Sequence, residues 1–151
     1  MDRFFRGFLA GIAGGIIMTA WDLISFHLAS FSAHRYLDWS AILLLGERPA
    51  NFFEAAYALL VHLIWSGFLG IIFAFLVLLI GDEKIMLKGA ILGFNAGFIF
   101  YAIPKLFVAT TDLYATPIES VVSNHLGAVL WGLTAGYVLY YLDRKFTRET
   151  R

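Results

Sequence analysis

Four apolar stretches, at about 8–29, 52–80, 85–108 and 117–142, are each long enough to cross a hydrocarbon core about 30 Å thick, which takes roughly 20 helical residues. Little of the chain lies outside them. Of 151 residues, 60% are apolar and 15% charged, and the mean hydropathy is +0.78. Soluble domains carry about 25% charged residues, so too few charges are present to cover a surface facing water. The sequence therefore predicts an all-α polytopic membrane protein with four transmembrane helices, residues 1–151 forming a single domain. Arg3 and Arg6 precede a long, glycine-rich run that ends in Trp21 and Asp22, which reads as an uncleaved first helix rather than a cleavable signal. The net charge is zero and cysteine is absent. No basic field draws nucleic acid, and disulfides, thiolate metal sites and cysteine nucleophiles are excluded.

Basic residues set the orientation. Arg3, Arg6, Lys84, Lys88, Arg144, Lys145, Arg148 and Arg151 fall on one side of the four spans; Arg35, Arg48 and Lys105 fall on the other. The positive-inside rule places both termini and the 81–84 turn in the cytoplasm of a plasma (inner) membrane protein. The connection at 30–51 is then extracytoplasmic. Within it, Trp39 to Leu45 is too short to span and is closed by Gly46 and Pro49, predicting an interfacial or re-entrant helix with Tyr36 and Trp39 at headgroup depth. Asn51 followed by Glu54 predicts a capping box, and Thr116-Pro117-Ile118-Glu119 repeats the pattern with proline at the first helical position.

The two halves are alike. Arg6-Gly7, Gly11 and Gly15 open the first span, and Lys88-Gly89, Gly93 and Gly97 open the third at the same spacing. His62-Leu63 in the second span and His125-Leu126 in the fourth are each followed by a tryptophan and two glycines: Trp65, Gly67 and Gly70, then Trp131, Gly132 and Gly136. Glycine every fourth residue is common where membrane helices pack closely. The leading basic residues and the His-Leu pairs add a tandem two-hairpin repeat to that reading. Both halves start in the cytoplasm, as in a parallel duplication.

Ionisable side chains inside a membrane are costly, and so are functional candidates. Small-residue strips, which mark helix contacts, turn Asp22, His62 and His125 inward, with Ser66 one turn from His62. Each of the three lies roughly 10–14 Å from the outer end of its helix at 1.5 Å per residue. Three readings compete for this layer: interhelical hydrogen bonds that fix register, a proton or ion relay, and, weakest, a divalent metal held by His62, His125 and Asp22. No HxxxH or HExxH spacing supports the last, and no cofactor is otherwise expected. His27, Lys105, Asp112 and Glu119 lie nearer the outer mouth, where Lys105 snorkels to the headgroups. Asn95 faces away from Gly93 and Gly97, toward a neighbouring helix or second protomer, and Pro104 kinks the end of the third span. The tail from Asp143 to Phe146 reads as a stop-transfer anchor on anionic lipid.

The stretches Gly11–Gly15, Lys88–Gly93 and Leu130–Tyr137, with the order of the four spans, resemble the YqhR-like bacterial membrane proteins over nearly the whole chain. His125-Leu126 before Trp131 is similar to the YagU-like inner-membrane proteins in the second and fourth spans. The resemblance implies topology and brings no activity with it. The residues themselves favour a non-enzymatic membrane protein that relays protons or ions through Asp22, His62 and His125, with a homodimer needed for a pore. The alternative is an accessory or scaffold protein binding a membrane partner. An intramembrane metal-dependent enzyme ranks third.

Overall fold

The computed structural model describes residues 1–27, 35–107 and 117–148. These are all-α: five helices, α1 (Arg3–His27), α2 (Tyr36–Leu45), α3 (Phe52–Ile80), α4 (Ile85–Phe107) and α5 (Ile118–Arg148), with no strand among the described residues. Two of them, α1 and α3, are long and apolar enough to cross a membrane by length and composition.

Local chemistry sets the helix ends. Asp2 starts α1, its Oδ1 accepting from the Phe5 N–H at 2.8 Å. At α3, Asn51 Oδ1 accepts from the Glu54 N–H at 3.0 Å, while the Glu54 carboxylate reaches back to the Asn51 amide and the Ala50 N–H, both at 2.7 Å. That is the expected capping box, with the return bond moved one residue outward. Pro117 sits just ahead of α5, its carbonyl accepting from the Ser120 and Val121 N–H groups; Thr116 lies outside the described residues. The 81–84 turn reverses direction through positive φ at Gly81 and Lys84. Lys88 then donates to the carbonyls of Ile80 and Gly81 at 2.8 and 3.0 Å, placing a cation on the free carbonyls at the end of α3.

Two antiparallel pairs, α1 with α3 and α4 with α5, are joined by contact between α1 and α5. Each pair is held close by glycine. A Cβ on Gly11 would run into the Ser66 carbonyl, and one on Gly93 into the Ala128 carbonyl. One turn toward the chain's basic end, Gly7 lies on Gly70 in the first pair and Gly89 on Gly132 in the second. Four residues the other way along α3 and α5 lead from Ser66 to His62 and from Ala128 to Asn124. In this contact register His62 therefore corresponds to Asn124, not to His125. Between the pairs, Trp131 is buried against Gly14 and donates from Nε1 to the Gly11 carbonyl at 3.1 Å.

The bundle has two unlike halves. Toward the basic end its interior is apolar, built from Ala10, Phe73, Ala74, Val77, Ile85 and Leu139. That end is closed by Asp143, whose carboxylate takes Arg3 at 3.3 Å and Arg6 at 2.9 Å. At the other end, α2 lies back on α3 and α1. It buries Tyr36 and Trp39, each 5% exposed, so both rings pack within the bundle. The helix begins at Tyr36, three residues before the expected start, because acidic side chains receive its first free N–H groups. α3 and α4 barely touch. They meet near the basic end, where Phe73 lies against Gly89, and leave a cleft toward α2.

Candidate functional site

The half of the bundle nearest α2 collects the buried polar residues. Asp22 and Ser25 come from α1, Asp38 from α2, His62 and Ser66 from α3, and Ser120, Ser123 and Asn124 from α5. The α5 group falls at i, i+3 and i+4, on one face of the helix.

Asp22 is the hinge of this region. Its Oδ2 accepts the Tyr36 N–H at 2.9 Å, so a carboxylate from α1 takes a free donor at the N-terminus of α2. The adjacent donor, the Arg35 N–H, goes to Asp38 Oδ2 at 2.9 Å, and the Arg35 guanidinium pairs with the same carboxylate at 2.8 Å while lying 4.8 Å over the Phe26 ring. Tyr36 extends its hydroxyl to the Asn124 carbonyl at 3.2 Å and sets its ring 5.9 Å from His62. Behind it, Ser25 and Ser123 share a hydrogen bond of 2.6 Å, and Trp21 Nε1 donates to the Ser123 carbonyl at 3.0 Å. One tyrosine thus ties α2 to α1, α3 and α5.

Among the buried polar atoms without a hydrogen-bond partner are Asp22 Oδ1 and His62 Nε2. Both residues line a cavity of about 70 Å³, together with Thr19, Arg35 and Leu59. His62 also lines a second, larger space of about 550 Å³ with Ser66, Tyr36, Leu69, Leu92 and Trp131. It forms part of the wall between the two. Buried polar groups are nearly always paired with protein or water, so these two atoms set their residues apart; Asp22 Oδ1 lies toward Gly127 of α5.

The expected Asp22–His62–His125 layer is only partly assembled. Asp22 and His62 share the small cavity. His125 lines neither space: it bonds through Nδ1 to the Val121 carbonyl of its own helix at 2.8 Å, and its ring lies tilted 5.0 Å from Phe94 of α4. One residue of register accounts for this, since each helical step turns a side chain by about 100°. Asn124 faces inward and His125 faces α4. Among the described residues, no group of three His, Asp or Glu side chains could hold a metal ion, so His62, His125 and Asp22 do not form the metal triad considered above.

The remaining candidates scatter. Ser66 is buried against Gly15 and lines the larger space. His27 is exposed at the end of α1, edge-on to Phe26, and Glu119 is exposed in the first turn of α5. The backbone of Lys105 belongs to α4, and Asp112 lies outside the described residues. Asn95 is exposed and donates to the Ile91 carbonyl of its own helix at 2.8 Å, rather than to a neighbouring helix. Ser25, Ser123 and Asn124 carry no charge and are not among the sequence candidates, and Tyr36 is expected there only as an interfacial ring. The spacing of Ser120, Ser123 and Asn124 was the available signal. Compared with protein-family models, curated proteins and solved structures, the chain matches none.

Proposed function

We propose that the chain is a four-span plasma-membrane protein with both termini in the cytoplasm, and that Asp22 and His62 form a proton-exchange site in the outer half of its bundle. Helices α1, α3, α4 and α5 have 25, 29, 23 and 31 residues. At 1.5 Å per residue they run roughly 35–46 Å, longer than the hydrocarbon core. Large apolar side chains cover their outward faces, among them Ile16, Phe75, Leu79, Leu87, Phe98 and Leu126. Water-soluble monomers do not expose continuous apolar faces of that extent. Arg3, Arg6, Lys84, Lys88, Arg144 and Lys145 gather at one end, the end assigned to the cytoplasm.

The observation that carries the proton-exchange reading is the shared cavity. An imidazole and a carboxylate, each with an unmatched atom, border a space of about 70 Å³. A water needs roughly 15 Å³ of such space, so a few fit. A proton passing between carboxylate and imidazole through them would move from the outer side toward the larger space that His62 also borders. The apolar half built on Phe73, Val77 and Leu139 offers no continuation to the cytoplasm. The pair therefore serves as a local relay, and complete crossing needs a second copy.

Purified protein in liposomes under an imposed pH step tests this, read as pH-dependent exchange of a protonated-carboxyl infrared band alongside flux from an internal pH dye. The band belongs to Asp22 if Asp22→Asn removes it, and His62→Gln alters its pH dependence. A band untouched by both substitutions sinks the relay. The accessory-protein alternative rests on the outer loop and on the Asn95 face, where Asn95 is exposed and bonds to Ile91 of its own helix.

A further inference from the structure

We infer that the cleft between α3 and α4 is a binding site for a single-chain lipid with a small oxygen-bearing head, a fatty acid or long-chain alcohol, entered sideways from the bilayer. The inference rests on the membrane-spanning reading and not on proton exchange. The space of about 550 Å³ is almost wholly apolar along its length, with Leu69, Leu92 and Trp131 among its walls. It exists because α3 and α4 meet at Phe73 and Gly89 and part toward α2. Ser40, Leu43 and Leu44 of α2 cover its outer end, leaving the side between the two helices as the entrance.

Size decides among occupants. The cleft spans Val61 to Leu69 on α3, about 12 Å at 1.5 Å per residue. Its volume then leaves a mean cross-section of roughly 45 Å², about half that of an α-helix with side chains, which is 10–12 Å across. A partner helix, from a second copy or another protein, is too thick. An apolar chain fits when it doubles back within the cleft: a cavity of about 150 Å³ holds one benzene, so this one accommodates on the order of twenty carbons.

Polarity decides the head. At the α2 end the walls carry the polar side chains His62, Ser66, Tyr36 and Ser40. A hydroxyl or carboxyl group there meets hydrogen-bonding side chains that the apolar walls of the cleft do not offer. His62 lies ten residues along α3 from Phe52, roughly 15 Å below the outer end of that helix. A phospholipid headgroup brought to that depth would carry its phosphate into hydrocarbon, which is prohibitive. A small head is admissible.

The test uses the full chain in phosphatidylcholine nanodiscs with four diazirine probes: hexadecanoic acid, hexadecanol, hexadecane and a phosphatidylcholine labelled on one chain. Adducts are mapped by mass spectrometry. The acid and alcohol are expected to label 61–69 and 92–99, displaced by unlabelled hexadecanoic acid. Ala96→Phe, which fills the cleft, lowers that labelling while labelling of the outward Leu78 and Leu79 persists. His62→Leu weakens capture of the acid and alcohol by about tenfold, the equivalent of one buried hydrogen bond, and leaves hexadecane unchanged. Labelling confined to outward faces, equal labelling by phosphatidylcholine, or cleft-to-cleft cross-links between two copies would each overturn the inference. An alkaline carbonate wash separates the two levels. Protein retained in the membrane without cleft labelling refutes the lipid site alone, whereas protein released by the wash refutes the spanning reading.

Discussion

Trp131 donates its indole N–H to the carbonyl of Gly11 at 3.1 Å, joining residues 120 positions apart. The bond is possible because Gly14, one turn along α1, has no side chain: a Cβ there would stand 2.7 Å from the indole Cδ1. Gly11 meanwhile presents its other side to Ser66 and Gly67 of α3. A single turn of α1 is therefore packed against both helix pairs, and the tryptophan fixes their separation.

Trp131→Phe should keep most of the bulk and lose the hydrogen bond, lowering stability by about 1 kcal/mol. Trp131→Ala should cost about 3–5 kcal/mol, since it also leaves a cavity between α1 and α5. Thermal unfolding of the detergent-solubilised protein measures both. Equal losses would mean that the bond contributes nothing.

Gly11→Ala and Gly93→Ala should separate their helix pairs, because the added methyl meets a backbone carbonyl in each case. Backbone cannot swing aside as a long side chain can, so the expected loss is about 1–3 kcal/mol apiece, as for overpacking elsewhere. Gly46 is the control. Nothing lies near its missing Cβ, but its φ of +84° makes alanine strained there, so its smaller loss of about 1 kcal/mol has a different origin. A cysteine pair placed across α1 and α3 in the Gly11→Ala background should cross-link more slowly; an unchanged rate would refute the close-contact account.

Those glycine contacts were legible in the sequence because a four-residue repeat of small residues has few uses in a helix other than close approach. The long helices and the Asn51–Glu54 cap were legible too, being local patterns. The direction of His125 was not. The paired His-Leu motifs suggested equivalence with His62, but contacts between helices fix register to a single residue, and they match Asn124 instead. Nor could the sequence show that Asp22 receives the Tyr36 N–H. That bond joins α1 to the start of α2, a relationship that no periodicity encodes. Asp143 read as part of an anchoring tail for the same reason: its partners Arg3 and Arg6 lie at the other end of the chain.

Asp143→Asn should weaken the closure of the basic end. These ion pairs are partly exposed, so each contributes no more than about 1 kcal/mol and is screened by salt. Stability of the native protein should therefore fall toward that of the variant as salt is raised, and the double exchange Arg6→Asp with Asp143→Arg should recover part of the loss. A difference independent of salt would assign the effect to packing.

Asp22 carries two roles that substitution can separate. Its Oδ2 holds the first N–H of α2, and an amide oxygen can accept the same bond; its Oδ1, buried without a hydrogen-bond partner, matters only if the group exchanges a proton. Asp22→Asn should therefore keep α2 docked and abolish exchange, whereas Asp22→Ala should release α2 as well. Docking is read at Ala41, which is fully buried, by the rate at which a cysteine placed there reacts with a water-soluble maleimide. Little reaction is expected in the native and Asp22→Asn backgrounds, and fast reaction in the Asp22→Ala background. If the asparagine variant undocks α2 as completely as the alanine variant, the bond to Tyr36 requires the charge: a carboxylate at a helix N-terminus gains both the hydrogen bond and the favourable dipole interaction, and an amide only the first. In that outcome Asp22 stays ionised to hold the helix, and it has no proton to exchange with His62.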